Sequence, residues 1–182
     1  MNNELPSFRY HPDPLSTGSI ESSEEICECC GESRGYVLTT HIYATEEIEF
    51  ICPWCVADGS ASRKFDGEFV SSCNFDGTNL SESIIEEVTK RTPSFESWQD
   101  EKWFTHCSDA CQFLGNPSLE ELKALSKEEI AQGVDEHRFY PYVGDDNAGE
   151  DDIENYLPLG DWSFYKFSCL HCKKLIYYMD VD

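Results

Sequence analysis

Eight of the ten cysteines in this 182-residue chain stand in closely spaced pairs: Cys27/Cys30, Cys52/Cys55 and Cys169/Cys172 as C-x-x-C, and Cys107/Cys111 as C-x-x-x-C. Two thiolates so spaced can reach one tetrahedral ion at roughly 2.3 Å, and two such pairs complete its shell with no open position. Four pairs therefore predict two closed four-cysteine sites and two Zn2+ per chain. Cys29 and Cys73 are left over. The stretch CPWC, 52–55, is also a possible redox dithiol, and a helix start would lower the pKa of Cys52. The three companion pairs, and the lack of a βαβ pattern around CPWC, favour metal over redox chemistry.

These pairs need elements that present them. In CECCG, 27–31, a glycine follows the second ligand, where a tight turn favours positive φ. The next stretches, RGYVLTTHIYA and IEFI, have the apolar and β-branched character of hairpin strands. Cys52-Pro53 then introduces a helix-compatible run, with proline suited to its first turn. A turn, a hairpin and a ligand pair at a helix start make a treble-clef-like unit, so Cys27 and Cys30 are expected to pair with Cys52 and Cys55. The second half reads as the same parts in reverse. Cys107 to Gly115 reads as a ligand pair entering a short helix with a glycine stop. WSFYKFSCLHCKKLIYYM sets Cys169 and Cys172 between two aromatic-rich strands, with Lys173 where a glycine is expected. Helices are predicted after Ser83, with capping-box spacing to Glu86, after Ser118 and after Ser126, followed by an acidic loop over 144–155.

Several single residues invite a chemical role that a plainer one matches. His106 adjoins a ligand, and neighbours of a ligand usually point away, so it is expected to support the site rather than bind metal. His171 is expected to face solvent, and His11 to help dock an N-terminal arm. Cys29 could compete with Cys30, Cys73 reads as a core thiol, and Trp98, Trp103 and Trp162 read as core. Asp58 and Asp109 fit helix-start roles better than acid–base work, and nothing singles out Asp161.

Composition limits the partners. There are 36 acidic and 13 basic residues, a formal net charge of −23, so nucleic acid is a poor partner and a basic protein a better one. No stretch approaches the roughly 20 apolar residues of a membrane helix and the N-terminus lacks a basic region followed by an apolar one, so a soluble, cytoplasmic protein is expected. Forty per cent hydrophobic residues, 13% of the chain aromatic, are enough for a core.

The segments FRYHPDPLSTGSI, CPWCVADGSASRKF, RTPSFESWQ, WFTHCSDACQFLG and CLHCKK, in this order, resemble the bacterial CbrC family. The resemblance implies a cytoplasmic bacterial protein with cysteine pairs suited to zinc, a link by name to colicin tolerance, and no established catalytic activity. The combined expectation is a small α+β, zinc-stabilised domain with two treble-clef- or zinc-ribbon-like units and a few short helices. Its expected parts are an extended arm (1–20), a first zinc unit (21–75), and a helical segment with the second zinc unit (76–182) that forms one compact domain with the first. The expected function is a protein-interaction module. The alternative is a zinc-dependent or thiol-redox enzyme with a pocket between the units.

Overall fold

Two clusters of buried apolar side chains organise the chain, and each contains cysteines of one predicted site. The computed structural model describes residues 4–97, 101–125 and 162–181. The predicted helix after Ser126, the acidic stretch 144–155, Trp98 and Asp161 lie outside these residues.

In the first half, β1 (Ile20–Ser22) pairs antiparallel with β2 (Tyr36–Leu38), Ile20 opposite Leu38. The partner expected for the 36–38 strand was the 48–51 segment. That segment forms no strand, although Leu38 N–H donates to the Ile51 carbonyl at 2.9 Å. Two short helices follow, α1 (Pro53–Ala57) and α2 (Ser60–Phe65). Gly59, at φ 72°, breaks the expected single helix in a left-handed conformation that a side chain resists. Asp58 Oδ1 accepts the Ser60 N–H at 2.7 Å across this break, so it serves the entry to α2. A 3-10 turn (Ser72–Phe75) leads to α3 (Glu82–Arg91), which buries Val88 and packs Ile84 and Ile85 on the core. Its N-cap is Ser81, without a side-chain cap bond, so the predicted capping box at Ser83 does not form.

The second half is a sheet assembly. The strands β3 (Thr105–His106) and β4 (Asp109–Ala110) form a tight hairpin, and β5 (Gln112–Phe113) lies on the edge of a three-stranded sheet with β6 (Trp162–Ser168) and β7 (Leu175–Val181). Between them α4 (Leu119–Lys123) has the predicted capping box. Ser118 Oγ accepts the Glu121 N–H at 3.2 Å, and Glu121 Oε2 accepts the Ser118 N–H at 3.1 Å. Aromatic rings fill the space between the elements: Phe95 stacks on Phe113 at 4.1 Å, and Phe167 meets Trp103 and Phe104 edge-on at 5.7 and 5.2 Å.

The N-terminal segment docks onto this half. Tyr10 and His11 are fully buried, the Tyr10 carbonyl accepts the Phe113 N–H at 2.8 Å, and the Arg9 carbonyl accepts Gln112 Nε2 at 2.7 Å. His11 Nδ1 bonds the Pro93 carbonyl at 2.9 Å and Nε2 bonds Thr17 Oγ1 at 2.7 Å. Among the described residues no helix is long and apolar enough to cross a membrane.

Candidate metal centres

In the first centre, Cys27, Cys30, Cys52 and Cys55 turn their sulfurs to one point, all within 4.8 Å of one another. The Sγ–Sγ separations are 3.9 Å for Cys27–Cys55 and for Cys30–Cys52. Four sulfurs at roughly 2.3 Å from a tetrahedral ion stand about 3.8 Å apart, so the donor set fits a zinc-sized ion. Each pair is held by local backbone. The Gly31 N–H closes on the Cys27 carbonyl at 2.7 Å, with Gly31 at φ 76°, which meets the expectation for CECCG. Lys64 Nζ clamps the same loop through the Glu28 and Cys29 carbonyls at 2.6 and 3.0 Å. Cys52 is the N-cap of α1, Pro53 opens the helix, and the Cys52 N–H points at Cys27 Sγ at 3.2 Å.

Four thiols this close cannot all ionise without a cation between them. Cys27 is pulled down to about 4, first by the hydrogen bond with Cys52 and then, against burial, by N–H groups of Cys30, Cys52 and Cys29. That bond, with burial, holds Cys52 far above the thiol range, and burial pushes Cys55 up to about 12. Of these three thiols only Cys27 is favoured as the thiolate, and a divalent ion would supply the charge that lets Cys52 and Cys55 lose their protons.

The second centre corrects the sequence reading. Its members are His106, Cys107, Cys169 and Cys172, again within 4.8 Å. Cys111 is not among them; it is buried in the aromatic core, where its carbonyl accepts the Trp103 Nε1–H at 3.0 Å. The cause is a turn. Cys107 and Ser108 both have positive φ, 52° and 57°, and reverse the chain between His106 and Asp109 as a two-residue hairpin loop, where a helix start was expected. The hairpin puts His106 beside Cys107 at the tip and leaves Cys111 four residues along, inside. His106 Nδ1 lies 3.1 Å from Cys107 Sγ and 3.4 Å from Cys172 Sγ. A nitrogen and a sulfur sharing tetrahedral zinc stand about 3.6 Å apart, so this set also fits.

The Cys169/Cys172 turn repeats the first one bond for bond. Lys173 N–H donates to the Cys169 carbonyl at 3.1 Å as Gly31 does to Cys27, and Cys169 N–H donates to the Lys174 carbonyl at 2.9 Å as Cys27 does to Glu32 at 3.0 Å. Lys173 adopts the left-handed conformation itself, at φ 62°. Burial raises the Cys169 thiol, but N–H groups of Cys172 and His171 outweigh it and bring it to about 6. Desolvation and the bonds to Cys172 and Cys169 push Cys107 up to about 11. Three sulfurs of the first centre are buried; in the second only Cys169 is.

Beside the second centre Asp109 forms a buried hub. Its Oδ2 accepts Arg9 Nη2 at 2.7 Å and His171 Nε2 at 2.9 Å, and its Oδ1 accepts the Tyr10 hydroxyl at 2.8 Å and the Ala110 N–H at 2.9 Å. Burial raises the Asp109 pKa, but these bonds together hold it below the usual carboxylate range. His171, expected to face solvent, is half exposed yet tied to this hub. Cys29 joins neither centre, lying 3.6 Å from Ser60 Oγ, and Cys73 is exposed on the 3-10 turn rather than in the core. Only the hairpin tip hid His106: a Cys-Ser loop carries none of the Asn-Gly or Gly signals that mark such turns.

The model of the family described as "Uncharacterised protein family (UPF0167)" matches residues 5–181. A UPF0167 protein of Pseudomonas aeruginosa is 40% identical over 99% of both chains. UPF0167 proteins of Mycobacterium bovis and Mycobacterium tuberculosis are each 40% identical over 97% of this chain and 94% of theirs. No solved structure matches the chain. The two clusters could hold metal ions, zinc being typical of such donors.

Proposed function

The chain belongs to the UPF0167 family, and we propose that it is a two-zinc protein-interaction module. The observation that carries this reading is the closed donor count: each centre assembles four side-chain donors, which fills a tetrahedral shell and leaves no place for a substrate or a catalytic water. The first unit is read as treble-clef-like, with a ligand turn and a ligand pair at a helix start. The second is read as zinc-ribbon-like, with ligand pairs on two turns. The likeness to the CbrC family belongs to this reading, and no part of it rests on colicin tolerance.

Zinc here does the work of core. A structural zinc contributes about 10 kcal/mol or more of binding free energy, comparable with the whole stability of a domain. The surface thus stays rigid and strongly acidic. A net charge of −23 steers association toward a basic protein, with the rate falling as salt rises. The test is capture from a bacterial lysate with metal-replete and chelator-stripped protein, followed by association kinetics of the purified partner. A basic protein that binds only the replete form, more slowly at higher salt, is expected. A thiol-redox activity lost in Cys52→Ser while fold and zinc persist would replace the module with the dithiol enzyme.

A further inference from the structure

Between α2 and the end of α3 lies a cavity of about 580 Å³. Arg63, Lys90 and Arg91 line it, three cations in a chain where carboxylates outnumber bases 36 to 13. Among the described residues none of the three pairs with a carboxylate, although Asp66, Glu68 and Glu86 line the same space. Their position is built. Arg91 Nε donates to the Ala57 carbonyl at 2.9 Å and Arg63 Nη1 to the Asp58 carbonyl at 3.1 Å, both at the end of α1. Gly59 lies under both, with the place a Cβ would take 3.0 Å from Arg63 Nη1 and 3.4 Å from Arg91 Cγ, and its φ of 72° is what calls for glycine there. Ser62 Oγ donates to the Lys90 carbonyl at 3.0 Å and holds the end of α3 against α2.

A guanidinium has five N–H donors, and each arginine spends one on α1. We propose that this cavity binds a small phosphorylated molecule. Two guanidinium forks and an ammonium suit a phosphate dianion better than a single carboxylate. Asp66 and Glu86, with the Glu68 oxygen that Ser72 does not occupy, then accept hydroxyl donors from the rest of the ligand, and the volume lies within the range of small-molecule sites. This site is independent of the metal reading, since none of its residues belongs to either centre.

The test is an NMR titration of the metal-replete full chain with inorganic phosphate, against chloride at matched ionic strength. Saturable shifts at Gly59 and at the Arg63 and Arg91 side chains are expected with phosphate alone. Both arginines also hold the end of α1, so the deciding variant is Lys90→Gln, since the Lys90 ammonium makes no bond among the described residues. It should weaken phosphate about threefold with metal content unchanged. Glu86→Gln should tighten it by a similar factor. The absence of a saturable response, or equal affinity in Lys90→Gln, Glu86→Gln and the parent, would overturn the proposal.

Discussion

His106 supplies the nitrogen donor of the second centre, and Cys111, five residues on, supplies packing. The two side chains therefore respond differently to truncation. His106→Ala should lower metal affinity at that centre by more than the 10- to 100-fold typical of a supporting residue. Cys111→Ala should cost about 1 kcal/mol of stability and leave the metal content unchanged, as read by elemental analysis beside a denaturation curve. The reverse pattern would restore Cys111 as the ligand. At the turns, Lys173 bears a conformation that costs a side chain roughly 1–2 kcal/mol. Lys173→Gly should thus raise stability by about 0.5–1 kcal/mol in urea unfolding, after the entropy glycine loses on folding. Gly31→Ala should lower it by about 1 kcal/mol, because a Cβ there meets no atom within 4 Å and only the backbone resists.

At the scale of elements, each centre joins one C-x-x-C turn to a second element, α1 in one case and the β3–β4 hairpin in the other. The turns were legible in the sequence because C-x-x-C spacing fixes two ligands on one short loop, and Gly31 marked the first of them. The β6–β7 pair was legible from its aromatic-rich strands around Cys169 and Cys172, and α4 from the Ser118–Glu121 box. The hairpin was not, since positive φ at Cys107 and Ser108 is imposed by the surrounding fold rather than favoured by those residue types. Likewise β2 found its partner upstream in β1, whose Ile20-Glu21-Ser22 offers one apolar residue where the 48–51 stretch offers three, so local pattern pointed to the wrong neighbour. The two centres also shield their donor atoms unequally. Cys107 and Cys172 are exposed, whereas Cys27, Cys52 and Cys55 are buried. A colorimetric chelator should therefore withdraw metal in two phases, and His106→Ala should remove the faster one; a single phase unchanged by that variant would refute the ordering.

Across the whole molecule the N-terminal segment locks onto the second half through Arg9, Tyr10 and His11, and the buried histidine makes that lock sensitive to acid. Burial lowers His11 from 6.5 to about 4, so the folded protein keeps it neutral while the unfolded chain protonates. Its contribution is full above pH 6.5 and is lost as pH falls through about 4, a change on the order of 3 kcal/mol. His11→Gln should flatten the stability profile between those values, and an unchanged slope would remove the histidine from the account. Above all of these stands the claim that eight side chains, His106 among them, form two filled metal shells. Elemental analysis of the native protein, purified without chelator and saturated with zinc before exhaustive dialysis, tests it most directly. Two zinc ions per chain are predicted, falling to one in His106→Ala; one ion or none in the parent protein would contradict it.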